Sequence, residues 1–309
     1  MLKKLFTFFA TAAAASSTFG LGFFVGQQGE PMPENGFKMS TCNWGRSLHY
    51  KTDLYKIKPG PADWVNTRGG QIFEIDQNIY VQGLSSIASK LVYAKGRKIK
   101  IRENIHQELQ TSKIQFENCT VDVGDNFNFA FWEKSQRAGV ATLELDDTTM
   151  NIGGSIFCLI PVHPDVDLKN TAGTMFVLTG NSKLNVGYGA LFDSIFDEKP
   201  EVWKIEFKFV GKNDNMPQAY FGNEVKADKV LFDIDVKNLK ISKPGTYPIV
   251  TLADKNSYFK NARFIVNGRT YSLGEAITVN GKNAKIVMGA SPFGKDSKTE
   301  NDILLIISK

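Results

Sequence analysis

The chain has 309 residues, of which 42% are hydrophobic and 22% charged, and its formal net charge is +5. This length allows one large domain or two ordinary ones, and the apolar fraction excludes a disordered chain and a multi-span membrane protein. The mild charge gives no indication of a nucleic acid partner. Three Cys exclude a disulfide-dense scaffold, and three His leave little room for a His-rich metal centre.

The amino-terminal segment predicts export. Lys3 and Lys4 precede an uncharged stretch, 5–29, which begins apolar and continues with small residues. This layout is typical of a cleaved signal peptide. An uncleaved membrane anchor is the alternative, because the uncharged stretch is longer than the roughly 20 residues that span a bilayer. Small residues permit cleavage after Ala15, Ser17 or Gly20.

Three segments precede the predicted body of the fold. Residues 1–20 are the predicted signal peptide or anchor, 21–40, rich in Gly and Pro, a predicted linker, and 41–69 a predicted amino-terminal cap. We expect the rest of the chain to be exported to the periplasm, the cell surface or the medium. Membrane contact is expected only through an uncleaved anchor.

An internal repeat runs along the body of the chain. The segments Ile114–Gly124 and Leu143–Gly153 align without gaps. In each, two apolar residues flank a polar one, four polar or small residues follow, and a second alternating pair ends at Gly. Further units have their apolar residues at Phe73, Ile75, Ile79 and Val81; at Leu91, Tyr93, Ile99 and Ile101; at Phe176, Leu178, Leu184 and Val186; at Ile205, Phe207 and Phe209; at Phe232, Ile234, Leu239 and Ile241; at Phe264, Val266, Tyr271 and Leu273; and at Ile277, Val279, Ala284 and Ile286.

The repeat predicts the fold class. Alternation of period two places each apolar pair on one face of a strand, and the Asn and Asp between the pairs favour bends. Units of strand, bend and strand at intervals of about one solenoid coil indicate a parallel β-helix. We therefore predict an all-β, right-handed parallel β-helix whose coils occupy 70–243.

The carboxyl-terminal part predicts antiparallel structure. Val266–Arg269 and Val279–Lys282 each have Asn-Gly at their centre, the strongest short signal for a two-residue hairpin. Residues 244–309 are therefore a predicted antiparallel cap over the open end of the coils, with a last strand over Asp302–Lys309. If such hairpins continued through the body, the fold would be a β-sandwich, which is the alternative.

Two stretches, Phe176–Gly187 and Ile241–Leu252, resemble the repeats and the closing segment of bacterial autotransporter passengers and related β-helical surface proteins. The resemblance is one of repeat texture over roughly 110–290. It implies a surface or secreted location and work as an adhesin or scaffold. Only one strand is predicted after residue 290, so the translocator barrel of that family is not expected.

Acidic residues offer candidates for catalysis. β-Helical folds also host polysaccharide lyases and glycosidases, and glycosidases need paired carboxylates. Asp146 and Asp147, with Glu117 one coil earlier, would present acids on one ridge. At a bend the same residues serve turn chemistry. We assign no catalytic residue.

A second cluster offers metal ligands. His163, Asp165 and Asp167 alternate, so they would share one side of an extended segment. A divalent cation could bind them, or they belong to a solvated loop with Pro161 and Pro164. No metal and no cofactor is assigned.

The densest basic run is 95–102, in which Lys98, Lys100 and Arg102 face outward on a predicted strand. Such a stripe suits an anionic glycan or a phosphate-bearing envelope polymer. Lysine on a strand also discourages edge pairing.

Aromatic residues near the coils are candidates either for stacking on sugars or for filling the core. They are Phe127, Phe129, Phe131, Trp132, Phe192, Phe196 and Trp203. Cys119 and Cys158 fall at different repeat positions, and whether they or Cys42 form a disulfide stays open.

Together these observations predict an exported, non-enzymatic β-solenoid of the cell surface or envelope. It would act as an adhesin or scaffold and present a lateral face to a glycan or an envelope protein. A polysaccharide-processing lyase or glycosidase is the alternative.

Overall fold

A computed structural model describes residues 22–25, 32–45, 59–67, 70–86, 89–108, 111–130, 139–158, 172–192, 203–228, 230–291 and 300–308. Regular structure in these ranges is entirely β-strand, and none of them contains a helix that is long and apolar enough to cross a membrane. The strands form three ten-stranded sheets around one core. This confirms the predicted parallel β-helix with an antiparallel carboxyl-terminal part, rather than a β-sandwich.

The strands are β1 (Gly22–Val25), β2 (Phe37–Lys38), β3 (Trp44–Gly45), β4 (Trp64–Thr67), β5 (Ile72–Ile75), β6 (Ile79–Val81), β7 (Gly83–Ser86), β8 (Leu91–Lys95), β9 (Lys98–Ile101), β10 (Ile105–Glu108), β11 (Ser112–Glu117), β12 (Thr120–Val123), β13 (Phe127–Ala130), β14 (Val140–Asp146), β15 (Thr149–Ile152), β16 (Ile156–Cys158), β17 (Ala172–Thr179), β18 (Lys183–Val186), β19 (Ala190–Phe192), β20 (Trp203–Asn213), β21 (Gln218–Phe221), β22 (Val225–Asp228), β23 (Val230–Leu239), β24 (Gly245–Leu252), β25 (Tyr258–Lys260), β26 (Arg263–Val266), β27 (Arg269–Tyr271), β28 (Ile277–Val279), β29 (Lys282–Gly289) and β30 (Asp302–Ile307).

Each coil contributes one strand to each sheet in the same order. Sheet 1 has the order β2-β5-β8-β11-β14-β17-β20-β23-β26-β27. Sheet 2 has the order β6-β9-β12-β15-β18-β21-β24-β30-β29-β28, and sheet 3 the order β3-β1-β4-β7-β10-β13-β16-β19-β22-β25. From β5 to β25 the chain passes from sheet 1 to sheet 2 to sheet 3 and then begins the next coil.

The repeat seen in the sequence is the register of the coils. Ile114 lies opposite Leu143 between β11 and β14, and Val121 lies opposite Met150 between β12 and β15. All four side chains are buried in the core. The gapless alignment of the two units therefore describes two coils stacked residue on residue.

The phase of the repeat differs from the prediction in β8. Its buried residues are Val92 and Ala94, whereas the predicted Leu91 and Tyr93 are half-buried on the outer side. Ala94 lies opposite Phe116 of the next coil, so the small side chain accommodates a large neighbour. With this phase, β8 and β9 match β11 and β12 without an extra residue.

A second difference concerns the last complete coil. Leu239 and Ile241 are buried, as predicted, but they do not form the sheet 2 strand of that coil. Leu239 instead ends β23 opposite Asn213. The sheet 2 strand is β24, in which Val250 lies opposite Ala219. The chain uses more residues at this corner than the repeat predicts.

The corner between sheets 1 and 2 contains a residue with positive φ in consecutive coils. Asn118 and Asp147 have φ of 51° and 46°, and Asn213 has 54°. At the equivalent bends, Gly96 and Gly180 both have φ of 65°. Asn, Asp and Gly are the residues that tolerate this left-handed conformation, which explains their place in the repeats.

After the bend, a buried hydroxyl forms hydrogen bonds with backbone groups at this corner. Thr148 Oγ1 accepts a hydrogen bond from the Cys119 N–H at 3.0 Å and donates to the Phe116 carbonyl at 3.0 Å. One coil later, Ser182 Oγ accepts from the Thr148 N–H at 3.2 Å and donates to the Leu145 carbonyl at 2.9 Å. These hydroxyls satisfy backbone groups that the bend removes from the sheets.

Glycine occupies the corner between sheets 2 and 3 in several consecutive coils, where the backbones approach closely. A Cβ atom on Gly153 would lie 2.3 Å from the carbonyl oxygen of Gly124, and one on Gly187 would lie 2.6 Å from that of Gly153. The glycine that ends these repeats therefore permits the close stacking of the coils.

Aromatic rings stack along the axis inside the solenoid. Phe207 lies 4.6 Å from Phe176 and 5.8 Å from Phe232, and Phe232 lies 5.3 Å from Phe264, all measured between ring centroids. These side chains are buried, so each of these four coils adds one ring to a continuous stack in the core.

The carboxyl-terminal cap consists of hairpins and a returning strand. Asn267 and Gly268 join β26 to β27, and Asn280 and Gly281 join β28 to β29, all four with positive φ, as predicted for two-residue hairpins. Strand β30 lies antiparallel between β24 and β29. Parallel pairing continues as far as Val266 in β26, beyond the predicted start of the cap at residue 244.

The amino-terminal boundary also differs. Strand β1 falls within the predicted linker 21–40, yet it pairs with β3 and β4 in sheet 3. Its alternate residues Phe23 and Val25 are buried, so it belongs to the core. The predicted signal peptide, 1–20, lies outside the described residues.

Candidate functional site

The outer face of sheet 2 carries a continuous polar surface, which we call the sheet 2 face. Its strands β6, β9, β12, β15, β18 and β21 bury alternate residues in the core and direct the others outward. The outward residues are Tyr80, Lys98, Lys100, Thr120, Asp122, Thr149, Asn151, Lys183, Asn185, Gln218 and Tyr220.

A hydrogen-bonded row of polar side chains runs along this face, parallel to the solenoid axis. Asp122, Asn151 and Asn185 lie opposite one another on three successive coils. Asn151 Nδ2 donates to Asp122 Oδ1 at 2.8 Å, and Asn185 Nδ2 donates to Asn151 Oδ1 at 2.9 Å. An amide carries two N–H donors, and the bonds of the row use one donor of each asparagine.

Tyrosines end the row on both sides. Tyr80 lies on β6, the first strand of the face, opposite Lys100 of β9. Tyr220 lies on β21, the sixth strand, opposite Asn185 of β18. The Tyr80 ring is 41% exposed, and Lys100 Nζ lies 4.9 Å from its centroid. Five strand spacings separate the two rings, which corresponds to about 24 Å. Between the two aromatic rings the row therefore contains Lys100, Asp122 and the two amides.

The outer face of sheet 1 is different because its charges pair with one another. Lys113 Nζ lies 2.5 Å from a Glu144 oxygen, and Lys208 Nζ lies 2.9 Å from Asp233 Oδ2. The hydrogen bond from Lys208 to Asp233 raises the pKa of that lysine. These pairs join adjacent coils, so they stabilise the stack and leave less charge for a partner.

The outer face of sheet 3 is partly apolar. Phe157 lies opposite Leu191, and both are half-buried. Closer to the amino terminus, His106 stacks on Trp64 with 5.1 Å between ring centroids. Burial lowers the pKa of His106 to about 4, so its ring is neutral at physiological pH.

The structure brings the three candidate carboxylates together at the corner between sheets 1 and 2. Glu117 and Asp146 are direct register partners, and Asp147 is the bend residue that follows. Glu117 pairs with Lys95 at 2.6 Å, and Asp147 Oδ2 lies 3.3 Å from Lys212 Nζ. The predicted ridge of acids therefore exists, and lysines of the same ridge lie beside it.

The pKa values of the two aspartates are shifted in opposite directions. Desolvation raises the pKa of Asp146, whose Oδ1 lies 3.9 Å from Lys212 Nζ. The backbone N–H of Asn181, which donates to Asp147 Oδ1 at 2.8 Å, lowers the pKa of Asp147. Divergent pKa values in neighbouring carboxyls are also a feature of acid–base pairs. Here both groups lie on a convex corner, where Asp147 is held by the contacts of the bend.

Two of the three cysteines are buried in the solenoid. Cys119 lies at the corner between sheets 1 and 2, Cys158 ends β16 in sheet 3, and none of the three cysteines forms a disulfide. Cys119 Sγ lies 3.5 Å from the Ala94 carbonyl. Cys119 has the same corner position as Thr148 but lies one coil earlier. Burial raises the pKa of the Cys158 thiol to about 12, so it stays protonated.

Among the aromatic candidates, the described side chains fill the core. Phe127, Phe129 and Phe192 are buried. Phe131, Trp132 and Phe196, together with the side chain of Trp203, lie outside the described residues. The aromatic rings that the structure places outward on sheet 2 are tyrosines instead.

The metal candidates His163, Asp165 and Asp167 also lie outside the described residues. Within the part of the chain that the structure describes, no group of three His, Cys, Asp or Glu side chains could hold a metal ion. A depression of about 350 Å³ lies among residues 33–43, and Glu34 is the one carboxylate in its lining.

The basic run has the predicted orientation. Lys98, Lys100 and Arg102 are exposed, and Ile99 and Ile101 are buried. The row of amides was not predicted, although a signal was present. Asp122, Asn151 and Asn185 all occupy the position two residues before the Gly that ends a repeat.

Comparison of the chain with protein-family models, with curated proteins and with solved structures gives no match.

Proposed function

We propose that this chain is an exported, non-enzymatic β-solenoid that acts as a surface or envelope adhesin or scaffold and binds polysaccharide through the sheet 2 face. The observation that carries the proposal is the amide row, in which Asn151 and Asn185 are fixed by hydrogen bonds from coil to coil. Export follows from the sequence of residues 1–29 and is part of the proposal.

The chemistry of the face suits sugars. A sugar hydroxyl both donates and accepts, and an amide offers both functions from one rigid group. Because Asn151 and Asn185 are half-buried and already hydrogen-bonded, little side-chain entropy is lost when a ligand binds. Tyr80 and Tyr220 add flat rings on which apolar sugar faces can stack. A straight row about 24 Å long suits an extended polymer better than a monosaccharide.

The alternative is a polysaccharide lyase or glycosidase acting at the corner acids, and the divergent pKa values of Asp146 and Asp147 favour it. Glu117 and Asp147 each have a lysine partner, and the corner is convex, which suits structural support better than catalysis. We therefore favour the binding protein.

The test is native affinity electrophoresis of the full chain through gels that contain neutral and acidic polysaccharides, with an assay of reducing ends in the same lanes. We expect retardation without release of reducing ends. Release that is lost on combining Asp146→Ala with Asp147→Ala would establish the enzyme. Equal mobility in every gel would overturn glycan binding and favour a protein-binding scaffold.

Variants locate the binding face. Combining Asn151→Ala with Asn185→Ala should weaken retardation at least about fivefold, since each lost hydrogen bond contributes roughly 1 kcal/mol. Tyr80→Ala, at an exposed position outside the core, should weaken it and cost less than about 1 kcal/mol of stability through the lost contact with Lys100. The matched control is Gln115→Ala with Thr142→Ala, which removes two half-buried outward side chains from sheet 1. If this control loses binding equally, the sheet 2 face is not the site.

A further inference from the structure

We infer, on the basis of the proposed function, that the glycan is acidic and that its anionic groups bind lysines of the sheet 2 face, chiefly the pair at its amino-terminal end. The outward side chains of β6, β9, β12, β15, β18 and β21 include three lysines and one aspartate. The lysines are Lys98, Lys100 and Lys183. The face therefore carries a positive excess that a neutral polymer would not use.

Two of these lysines, Lys98 and Lys100, differ from three lysines of sheet 1. Lys95, Lys113 and Lys208 each pair with a carboxylate at 2.9 Å or less. Within the described ranges, Lys98 and Lys100 form no ion pair, and both are exposed. Lys98 lies opposite Thr120, and Lys100 lies opposite Asp122 without an ion pair between them, so both ammonium groups can pair with an incoming anion.

The cations and the aromatic ring are arranged for one ligand. Lys98 and Lys100 are alternate residues of β9, so their side chains leave the same face about 7 Å apart along the strand. Lys100 also lies over the ring of Tyr80. A sugar packed near that ring would place a carboxylate or sulfate group within reach of both ammonium groups.

A third cation extends the pattern along the axis. Lys183 lies in the same row as Lys98, with Thr120 and Thr149 between them. Three strand spacings separate the two lysines, which corresponds to about 14 Å. A polymer with regularly repeated anionic groups can contact both positions, and hydroxyl groups between them meet the threonines.

The shared chemistry of the ligand is an anionic group on a sugar, whether carboxylate or sulfate ester. The experiment compares binding of the full chain to four polymers: polygalacturonate, its carboxyl-reduced form, dextran sulfate and dextran. We expect at least about threefold tighter binding to one or both acidic polymers than to their neutral counterparts, and weaker binding as salt shortens the screening length. The two acidic polymers distinguish carboxylate from sulfate.

The decisive variant combines Lys98→Gln with Lys100→Gln, which preserves length and polarity. It should lose the preference for the acidic polymer and keep the affinity for the neutral one. The matched control is Lys237→Gln with Lys240→Gln, which removes the same charge from exposed positions outside the face and should leave the preference unchanged.

The outcomes separate this inference from the proposed function. Equal binding of neutral and acidic polymers would overturn the inference and leave polysaccharide binding intact. Loss of preference in the control variant as well would show that only net charge matters, which also overturns it. Equally tight binding of inorganic polyphosphate would reveal a general polyanion surface and overturn the assignment to a glycan. Failure of the wild-type chain to bind any of the sugar polymers would overturn both.

Discussion

The side-chain amide of Asn151 donates a hydrogen bond to the carboxylate of Asp122 on the preceding coil at 2.8 Å. The two residues are direct register partners in parallel strands of sheet 2. The contact therefore links two coils on the outside of the solenoid, on the same face that we propose as the binding surface.

This pairing makes a charge substitution informative. Asn151→Asp would place two carboxylates opposite each other and should lower the free energy of unfolding by about 1 kcal/mol at neutral pH. Asn185→Asp is the control, because its register partners Asn151 and Tyr220 are not acidic. Urea unfolding of both variants checks this. A loss in the control as large as in Asn151→Asp would contradict like-charge repulsion as the cause.

The neighbouring acids of the corner should respond to pH with opposite signs. The pKa of Asp147 is lowered on folding, so its stabilisation is fully present above the unfolded value of about 3.9 and is lost as pH falls through the folded pKa. The pKa of Asp146 is raised, so its contribution is most favourable below the unfolded value and is lost as pH rises through the folded pKa.

At pH 7, Asp147→Asn should therefore lower the free energy of unfolding, and Asp146→Asn should raise it. Each change should be a few tenths of a kcal/mol to about 1 kcal/mol, since the corner is partly solvated. The asparagine introduced by Asp147→Asn would keep the left-handed bend, as Asn118 does. Denaturant unfolding at pH 7 and pH 3 tests this, and both differences should shrink at pH 3. Effects of the same sign at pH 7 would refute the assignment.

Close stacking at Gly153, in the corner between sheets 2 and 3, predicts that this position does not tolerate even one methyl group. Gly153→Ala should destabilise the chain by about 1–3 kcal/mol, because its Cβ would lie 2.3 Å from the Gly124 carbonyl oxygen. Gly96→Asn is the contrasting substitution at the other corner, where a Cβ meets no atom within 4 Å and Asn118 adopts the same conformation one coil later. It should change stability by less than about 0.5 kcal/mol. Thermal or urea unfolding of both variants decides the matter.

The position of β1 predicts where an exported chain begins. Phe23 and Val25 are buried, so processing should occur before Gly22, at one of the sites predicted after Ala15, Ser17 or Gly20. Intact-mass measurement of the exported protein checks this. A chain that starts at residue 27 should be less stable by roughly 3–6 kcal/mol, since each of these buried side chains contributes about 1.5–3 kcal/mol. An exported protein that naturally begins after Val25 would contradict the prediction.

Much of the solenoid could be predicted because the residues that define its sequence repeat are the residues that fill its core. Ile114 and Leu143 align in the sequence and stack in the structure, and the Asn-Gly pairs at Asn267 and Asn280 form the predicted hairpins. The prediction gave strand β8 the wrong phase because Leu91 and Tyr93 are larger apolar residues than Val92 and Ala94. The buried position opposite Phe116 favours the small alanine, and size alone does not reveal that.

The proposed binding face was harder to predict for a different reason. Outward residues are not constrained by the core, so their types vary from coil to coil, and alternation predicts only that they are polar. The relation between Asp122, Asn151 and Asn185 becomes visible once the strands are in register. The corner acids were recognised as a ridge, but the contact of Asp147 with Lys212 joins residues far apart in sequence.

The amide row also gives the face a direction. Asn185 donates to Asn151 and Asn151 donates to Asp122, so every bond along the row points toward the amino-terminal coil. Lys98 and Lys100 lie near the end to which the donors point, and the opposite end has Tyr220. The two ends of the surface are therefore different, and turning it end to end does not reproduce it. A linear glycan also has two unlike termini, so binding here would select one polarity of the polymer and orient the protein along it.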